Sequence, residues 1–257
     1  MRAACCEATV LSHESILPDI RLLRALWPDR EHAPHAGQFF TLRAWGADEA
    51  PFLSRPISVH KWDAETQTVE FLYAVVGEGT RKLTALMPGD SFQLTGPMGN
   101  GFDTADLLSR YKKIAVVGGG IGTAPMYQVT RELAAAGVKP DVFFGFRDAP
   151  YCMEEYRSIA NLVKVSTDTG AVGFHGFVTQ LYDPADYDAV LICGPTVMMK
   201  NAARLCAEKG TPCFVSLEKK MACGIGACLG CTCETKGGEG KSVCKNGPVF
   251  DATEVFF

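Results

Sequence analysis

Hydrophobic residues in the first hundred positions occur in short apolar or alternating runs, and turn residues close each run. The runs occupy positions 20–26, 38–45, 57–62, 69–76 and 91–95. Between them lie groups of proline, glycine and aspartate such as Pro28-Asp29. Many short strands with regular turns are typical of antiparallel barrels and sandwiches. We therefore expect an antiparallel β-barrel or sandwich in the first part of the chain.

The pattern changes at position 113, after which short buried-type strands alternate with helical stretches. Strands are predicted at 114–117, 142–146, 162–165 and 189–192. Helices are predicted through residue 136, at about 153–160 and at about 197–209. Strands that alternate with helices indicate a parallel sheet. The whole chain is thus predicted to have a mixed fold. Its domains are a barrel at 1–102, an α/β domain at 103–217 and a small module at 218–257.

The small module carries cysteines at a spacing typical of an iron–sulfur site. Four residues separate Cys223 from Cys228, two separate Cys228 from Cys231, and Cys244 follows later. This is the ligand spacing of a plant-type two-iron, two-sulfur (2Fe-2S) cluster. A structural zinc site is the alternative, although zinc ligands usually come as two short Cys-x-x-Cys pairs. Cys233 is interpreted as a spectator, because using it as a ligand would abandon the spacing.

Composition narrows the classes of function. The 257 residues are 47% hydrophobic and 21% charged, which is ordinary for a soluble globular protein. The formal net charge of −4 gives no reason to expect nucleic acid as a partner. Eleven cysteines without an apolar signal segment favour a reducing cytoplasm and metal ligation over disulfides. No apolar run approaches the length of a membrane span, so no membrane association is expected.

A first short motif in the barrel-like domain is Arg55-Pro56-Ile57-Ser58. An arginine at the start of a strand can hold a pyrophosphate with its fork of donors. The serine lies on the same face as the proline and can hydrogen-bond the edge of a flavin ring. The simpler alternative is an ordinary strand entry.

A second motif, Val-Gly-Glu-Gly-Thr at 76–80, precedes a stretch in helical register. Free backbone N–H groups around Gly79 and Thr80 can form an anion site at such a helix start. The alternative is an ordinary turn capped by Thr80.

A glycine-rich loop joins the first strand of the α/β pattern to its first helix. Strand, glycine loop and helix in this order are the context that a phosphate-binding loop requires. No acidic residue stands at the distance that holds a ribose, so this is not the dinucleotide fingerprint. The residues expected to contact the nucleotide are Gly118, Gly119, Gly120, Gly122, Thr123 and Pro125.

Two further segments bear on the nucleotide. The turn Cys193-Gly194-Pro195 follows a predicted strand and precedes a helix, and on the residues alone Cys193 is a buried small thiol. At the end of the second strand, Arg147 suggests a 2′-phosphate whereas Asp148 suggests a free hydroxyl. The two indications cancel, so these residues do not choose between NAD and NADP.

The order and spacing of these motifs resemble the ferredoxin reductase family. The resemblance places the turn 193–195 near the nicotinamide, with Cys193 close to the path of the hydride. Ile57 departs from many members, which carry an aromatic residue there that can stack on the flavin. The flavin contacts that the resemblance adds are Leu72, Tyr73 and Ala74.

The complete set of motifs, with the ending at 243–250, resembles one branch of that family, the electron transfer subunits of class B dihydroorotate dehydrogenase. The resemblance implies FAD, a 2Fe-2S cluster and NAD as cofactors. It also implies an α2β2 heterotetramer with an FMN-containing dihydroorotate dehydrogenase catalytic subunit. Electrons would pass from FMN through the cluster and FAD to NAD+ in pyrimidine biosynthesis.

Two other functions remain open. One is the related subunit of an NADPH–ferredoxin or sulfide oxidoreductase complex. Its cysteine loop usually follows an Asp-Gly-x-Gly sequence and has an arginine after the third cysteine. Here Glu218-Lys219-Lys220-Met221 precedes the loop and Thr232 follows its third cysteine. The other is a zinc-stabilised binding module without activity. The five histidines form no ligand spacing and are expected at surface or turn positions.

Overall fold

The computed structural model describes residues 3–256 and contains two seven-stranded sheets and one short hairpin. All neighbours in the first sheet are antiparallel, in the order β4-β3-β7-β1-β2-β6-β5. The sheet curls, because β4 contacts β6. The predicted antiparallel barrel-like fold is therefore confirmed. The elements of this part are β1 (Ala4–Leu17), β2 (Ile20–Leu26), β3 (Phe39–Arg43), β4 (Arg55–Ser58), β5 (Lys61–Asp63), β6 (Thr68–Ala74), α1 (Glu78–Leu83) and β7 (Ser91–Met98).

Strand β1 is the longest in the described chain, and the hydrophobic pattern did not predict it. Only Ala8 and Val10 are buried along its length, so the alternation of apolar residues is weak. The strand forms because it pairs with β2 on one side and with β7 on the other. Backbone pairing on both edges thus compensates for a poorly apolar sequence.

Three aromatic rings fill the inside of the curled sheet. Phe40 packs edge-to-face against Trp27 and Phe71, with ring centroids 4.9 and 5.7 Å apart. All three side chains are fully buried. Such rings contribute large apolar areas to a core, and here they support the strands that carry the first motif.

The second sheet has the order β11-β10-β9-β8-β12-β13-β16 and is parallel except for its last pair. This confirms the predicted parallel sheet. The strand order reverses at β8, so a crevice opens at the carboxyl ends of β8 and β12, where ligands bind in such folds. The elements are α2 (Thr104–Arg110), β8 (Ile114–Gly119), α3 (Met126–Ala135), β9 (Asp141–Phe146), α4 (Met153–Ile159), β10 (Leu162–Thr167), β11 (Phe174–His175), β12 (Ala189–Cys193), α5 (Thr196–Lys209), β13 (Cys213–Ser216) and β16 (Val249–Asp251).

The C-terminal segment consists of a hairpin, one helical turn and the edge strand of the second sheet. Its elements are β14 (Thr232–Glu234), β15 (Gly240–Ser242), α6 (Val243–Asn246) and β16. Since β16 pairs with β13, the segment after the cysteines is attached to the nucleotide-type sheet. The three predicted domain boundaries stay a prediction. Nowhere in residues 3–256 is there a helix long and apolar enough to cross a membrane.

Helix α3 holds the two sheets together through polar side chains. Oε1 of Gln128 accepts a hydrogen bond of 2.9 Å from the backbone N–H of Trp62. Arg131 donates to the carbonyl of the same residue. Oε1 of Glu132 accepts from the N–H of Ala36 at 3.2 Å. Buried backbone groups of the first sheet thus find partners on the helix that follows the glycine loop.

The connection between the two sheets passes very close to the first one at Gly101. An ideal Cβ at this residue would lie 1.9 Å from the carbonyl oxygen of Ala36, which is a backbone atom. We expect Gly101→Ala to lower the free energy of unfolding by about 2 kcal/mol, because the backbone must shift to relieve the overlap. Urea denaturation measures this. The control is Gly237→Ala, whose nearest neighbour would be 4.0 Å away, and an equal loss in both variants would contradict the expectation.

Candidate functional site

A cleft of about 360 Å³ lies between the two sheets and is called the central cleft here. Strands β4 and β6 form one wall, the loop before α3 forms the other, and β12 lies at the base. The structure therefore brings together segments that are far apart in the sequence. The predicted site residues that line it are Arg55, Pro56, Ile57, Ser58, Leu72, Tyr73, Ala74, Thr80, Pro125 and Cys193.

Arg55 presents an unused donor at this cleft. Its guanidinium donates to the carbonyl of Leu53, while its Nε is buried and has no hydrogen-bond partner among residues 3–256. The side chain runs along Gly79, where an ideal Cβ would lie 2.8 Å from Cδ of Arg55. A buried donor without a partner fits the binding of an anion such as a pyrophosphate.

Thr80 organises the turn in which Gly79 lies. Its hydroxyl oxygen accepts from the N–H groups of Val76 and Gly77 at 3.0 and 3.1 Å and donates to the carbonyl of Gly77 at 3.0 Å. Thr80 therefore acts within the turn as well as lining the cleft. The N–H groups of the first turn of α1 still have no acceptor within the helix, as at any helix start.

Tyr73 is held by a histidine that the sequence did not single out. Nδ1 of His13 lies 3.1 Å from the carbonyl of Leu86, so Nδ1 carries the hydrogen. Burial lowers the pKa of His13, which favours the neutral ring at pH 7. The Tyr73 hydroxyl therefore donates to Nε2 of His13, at 3.0 Å. This bond anchors one wall residue of the central cleft.

The glycine loop lies directly on the turn that follows β12. Strand β8 extends to Gly119, two residues further than predicted, and a 3₁₀ turn follows before α3. An ideal Cβ at Gly122 would lie 2.5 Å from Cα of Gly194, and one at Gly119 would lie 2.9 Å from Cδ of Pro195. Only glycine fits at so close an approach, so the two predicted segments form one unit.

A second cavity, of about 390 Å³, lies at the carboxyl edge of the second sheet and is called the outer cavity here. The predicted residues Gly119, Gly120 and Pro195 line it. Behind this lining, the hydroxyl of Thr123 donates to the carbonyl of Gly120 at 2.9 Å. Five of the predicted residues line neither cavity, namely Gly79, Gly118, Gly122, Thr123 and Gly194.

Of the two residues that the sequence weighed for the ribose, Arg147 lines the outer cavity, whereas the carboxylate of Asp148 accepts a hydrogen bond of 2.9 Å from Thr169. The outer cavity also contains residues that the sequence did not reveal. Ser166 and Asp168, at the end of β10, line the cavity too. They could have been found from the rule that ligands bind at the carboxyl ends of parallel strands.

The same rule applies to the central cleft. It is also lined by the last residue of β13, Ser216, and by the two residues that follow it, Leu217 and Glu218. Phe39 contributes from β3, with no motif that could have marked it. Sequence motifs therefore located one part of each wall and missed the parts that arise from strand order.

Cys193 ends β12 and faces the central cleft as a buried residue. Burial raises the pKa of its thiol, so the side chain is uncharged at neutral pH. A neutral, compact thiol can shape the base of a cleft, but it is not a prepared nucleophile.

The four cysteines of the predicted metal site form two pairs. The backbone N–H of Cys228 donates to the sulfur of Cys223, and that of Cys244 donates to the sulfur of Cys231, each at 3.4 Å. The backbone N–H of Gly226 donates to the sulfur of Cys244 at 3.1 Å. Cys233 lies outside both pairs.

This donor set fits a two-iron cluster. Two thiol pairs match a cluster in which each iron takes two cysteines. Burial raises the pKa of Cys223, but hydrogen bonds from backbone N–H groups and from the Cys228 thiol lower it to about 6. This favours the thiolate form of Cys223, whereas burial raises the pKa of Cys244 to about 12.

The cysteine site borders the central cleft. Met221, just before the first cysteine, and Pro248, just after the last, both line the cleft. An ideal Cβ at Gly224 would lie 2.8 Å from Sδ of Met98, at the end of the first sheet. The cysteine loop is therefore in contact with the barrel and next to the cleft.

Comparison with known sequences gives consistent findings. Residues 218–256 match the profile of the iron-sulfur cluster binding domain of dihydroorotate dehydrogenase B. The chain is 45% identical, over 219 residues and 85% of each chain, to the dihydroorotate dehydrogenase B (NAD(+)) electron transfer subunit of Clostridium acetobutylicum. It is 38% identical to the subunit of the same name from Caldanaerobacter subterraneus, over 98% of each chain.

Among solved structures, the chain is similar to one in the NADH-dependent reduced ferredoxin-NADP oxidoreductase structure. The TM-score is 0.84 with 27% identity, and the match covers 97% of this chain and 89% of that one. A ferredoxin NADP+ reductase from Neisseria gonorrhoeae, solved with bound FAD and NADP, matches with a TM-score of 0.63 at 17% identity. This second match shows the fold alone.

The contact between Gly79 and Arg55 can be tested. We expect Gly79→Ala to weaken FAD binding about tenfold or more, because the added Cβ displaces Arg55 and removes a charge-assisted hydrogen bond. The flavin-to-protein ratio after gel filtration, and FAD titration of the stripped protein, measure this.

The matched control for this test is Gly77→Ala, in the same turn, where an added Cβ has no neighbour within 4 Å. FAD affinity in this variant should stay within about twofold of wild type. Equal affinities in both variants would exclude Arg55 from the flavin site.

Proposed function

The chain belongs to the family of electron transfer subunits of dihydroorotate dehydrogenase B, and we propose that it passes electrons from the FMN of a catalytic subunit to NAD+. It is a flavin and iron–sulfur oxidoreductase subunit whose cofactors are FAD, a 2Fe-2S cluster and NAD. It acts with a separate catalytic subunit, and the pathway is pyrimidine biosynthesis.

One observation carries this proposal, which is the shared boundary of the central cleft. Strand β4 with Arg55, the loop before α3 with Pro125, and Met221 at the cysteine loop all line the same cleft. A flavin in this cleft would have the nucleotide-type loop on one side and the cysteine site on another. That arrangement supports transfer between a two-electron and a one-electron carrier.

The cofactors supply the redox chemistry, since a flavin exchanges hydride with a nicotinamide and single electrons with an iron–sulfur cluster. The residues of this chain bind and orient. We propose that Arg55 and the turn around Gly79 hold the flavin pyrophosphate, and that Ser58 hydrogen-bonds the ring edge. Pro195 and Gly120 would border the nicotinamide nucleotide. Cys193, as a neutral thiol that lines the central cleft, would be close to the hydride path.

We further propose an FMN-containing dihydroorotate dehydrogenase as the catalytic partner, in an α2β2 heterotetramer. The cysteine loop exposes its outer face, with Ile225 59% and Leu229 64% exposed. Cys228 between them is also exposed. Exposed apolar residues around a polar centre support coverage by another protein. A partner seated there would reach the cysteine site directly.

The related subunit of an NADPH–ferredoxin oxidoreductase complex is the second candidate. The similarity to the NADH-dependent reduced ferredoxin-NADP oxidoreductase structure favours it, at 27% identity. The identities of 38–45% to dihydroorotate dehydrogenase B subunits are higher and cover most of the chain. We therefore keep dihydroorotate dehydrogenase B as the first candidate. Reduction rates with NADH and NADPH, and the partner that co-purifies, distinguish the two.

The purified chain is expected to be coloured and to contain iron, sulfide and FAD. The reason is that two thiol pairs suit two irons, and a buried donor at Arg55 suits the flavin. Elemental analysis and the visible spectrum measure this. A colourless protein that contains zinc, without iron or flavin, would support the zinc-stabilised binding module instead.

Cys228→Ser is expected to block electron transfer through the cluster while leaving the reaction between NADH and FAD intact. The variant should lose the cluster, because one pair no longer provides two thiolates. Turnover from dihydroorotate to NAD+ with the catalytic partner should fall by at least about a hundredfold, or about 2.7 kcal/mol in the barrier. Reduction of FAD by NADH should continue, since the central cleft is unchanged.

The matched control is Cys233→Ser. The Cys233 thiol is buried and donates to the carbonyl of Lys241 at 3.3 Å, a bond that a serine hydroxyl can also make. Iron content and turnover should match wild type. Full dihydroorotate-to-NAD+ turnover in Cys228→Ser, or cluster loss in Cys233→Ser, would contradict the proposed ligand set.

A further inference from the structure

His60 occupies an unusual position between the two sheets. It lies two residues beyond Ser58, at the end of the strand that carries the first motif, and its side chain is completely buried. The sequence predicted a surface or turn position for it. Its Nδ1 lies 2.8 Å from the carbonyl oxygen of Ala124, which lies between the glycine loop and helix α3 of the second sheet. A buried polar ring thus spans the boundary between the two sheets, called the seam here, next to the central cleft.

The partners of the ring define where its hydrogens lie. A carbonyl only accepts hydrogen bonds, so Nδ1 of His60 donates to Ala124. Nε2 lies 3.5 Å from Oε2 of Glu155 on α4. His60 beside it is the largest cause that lowers the pKa of Glu155, so this group is a carboxylate. The one hydrogen bond of the ring is therefore the Nδ1 bond to the start of α3, while Nε2 lies beside Glu155 without a hydrogen-bond partner among residues 3–256.

Aromatic rings complete this arrangement. Tyr127 stacks on the imidazole with a centroid distance of 4.9 Å and an interplanar angle of 28°. Tyr156 meets Tyr127 edge-to-face at 5.2 Å and donates its hydroxyl to the carbonyl of Thr123 at 2.6 Å. The carbonyls of Thr123 and Ala124, which directly follow the glycine loop, are therefore both held by side chains from other elements.

These two carbonyls belong to the segment that forms one wall of the central cleft. Ile121, Ala124 and Pro125 line that wall, and Ser58 lines the opposite one. His60 bridges the two, since it follows Ser58 in the chain and bonds to Ala124. We propose that His60 is a positioning residue for the nicotinamide half-reaction, setting the spacing between the flavin-side strand and the Ala124–Pro125 wall. This inference rests on the proposed function, because it assigns a role within that cleft.

Two isosteric variants test which contact matters. In His60→Asn the side-chain amide replaces the Nδ1 donor and keeps the bond to Ala124, whereas in His60→Gln the amide lies at the Nε2 position, towards Glu155, and the bond to Ala124 is lost. In the FAD-loaded chain, stopped-flow reduction by NADH gives a rate at saturation and a dissociation constant. We expect His60→Gln to lower the saturated rate about tenfold, because small displacements of reacting groups are costly. His60→Asn should stay within about twofold, and the affinity for NADH should change little in either.

The control variant is His32→Gln. His32 is half-buried and pairs with Asp29 at 2.8 Å, in a turn of the first sheet that lines neither cavity. Its saturated rate should match wild type. Equal rates in His60→Gln, His60→Asn and wild type would overturn the inference, and so would equal losses in the two His60 variants.

A readout without cofactor chemistry keeps the test decisive. Amide hydrogen exchange should be about tenfold faster at Ala124 in His60→Gln than in His60→Asn, because the lost bond frees the loop locally. Unchanged exchange in both variants would overturn the inference. Failure of NADH to reduce the wild-type chain would instead contradict the proposed function, and the exchange measurement would still judge the role of His60.

Discussion

The arrangement of the site depends on polar contacts across the seam between the two sheets. The first sheet leaves backbone groups of Ala36 and Trp62 at this seam, and such groups are costly when buried without partners. Helix α3 supplies the partners through Gln128, Arg131 and Glu132. Because the same helix begins where the glycine loop ends, these contacts also set the position of that loop relative to β4. The central cleft is the space that remains between them.

The cysteine site takes its position from attachments on both sides of it. After the cysteines, β16 pairs with β13 of the second sheet, while the N–H of Asn100 donates to the carbonyl of Gly247 at 2.6 Å. Asn100 follows β7 of the first sheet, so Cys244 sits between the two sheets. To place Cys244 there, the chain must return to the boundary between the two sheets. It does so through β16, which joins the sheet whose other strands lie earlier in the sequence. The cluster site is thereby fixed beside the cleft, not attached by a flexible linker.

The sequence predicted those features that depend on residues close together in the chain. The motif at 55–58, the strand–glycine–helix unit and the cysteine spacing all depend on neighbours in the chain. Strand β1 was missed because pairing on both edges stabilises it, and β16 because three residues carry no periodicity. The lining from Ser216 to Glu218 follows from β13 lying beside β12, which no local pattern reveals. The burial of His60 likewise results from its contact with Ala124, far away in the sequence.

Close backbone approach, more than charge, defines the nucleotide half of the site. An ideal Cβ at Gly122 would lie 2.5 Å from Cα of Gly194, and one at Gly194 would lie 2.9 Å from the nitrogen of Gly119. These neighbours are backbone atoms, which cannot rotate away as a side chain can. Relieving either overlap must move the end of β8 relative to the end of β12, and these ends border both the central cleft and the outer cavity. A change at Arg55 removes one donor and leaves both strands in place. We therefore propose that substitutions at Gly122 and Gly194 affect flavin and nucleotide together, whereas substitution of Arg55 affects the flavin side alone.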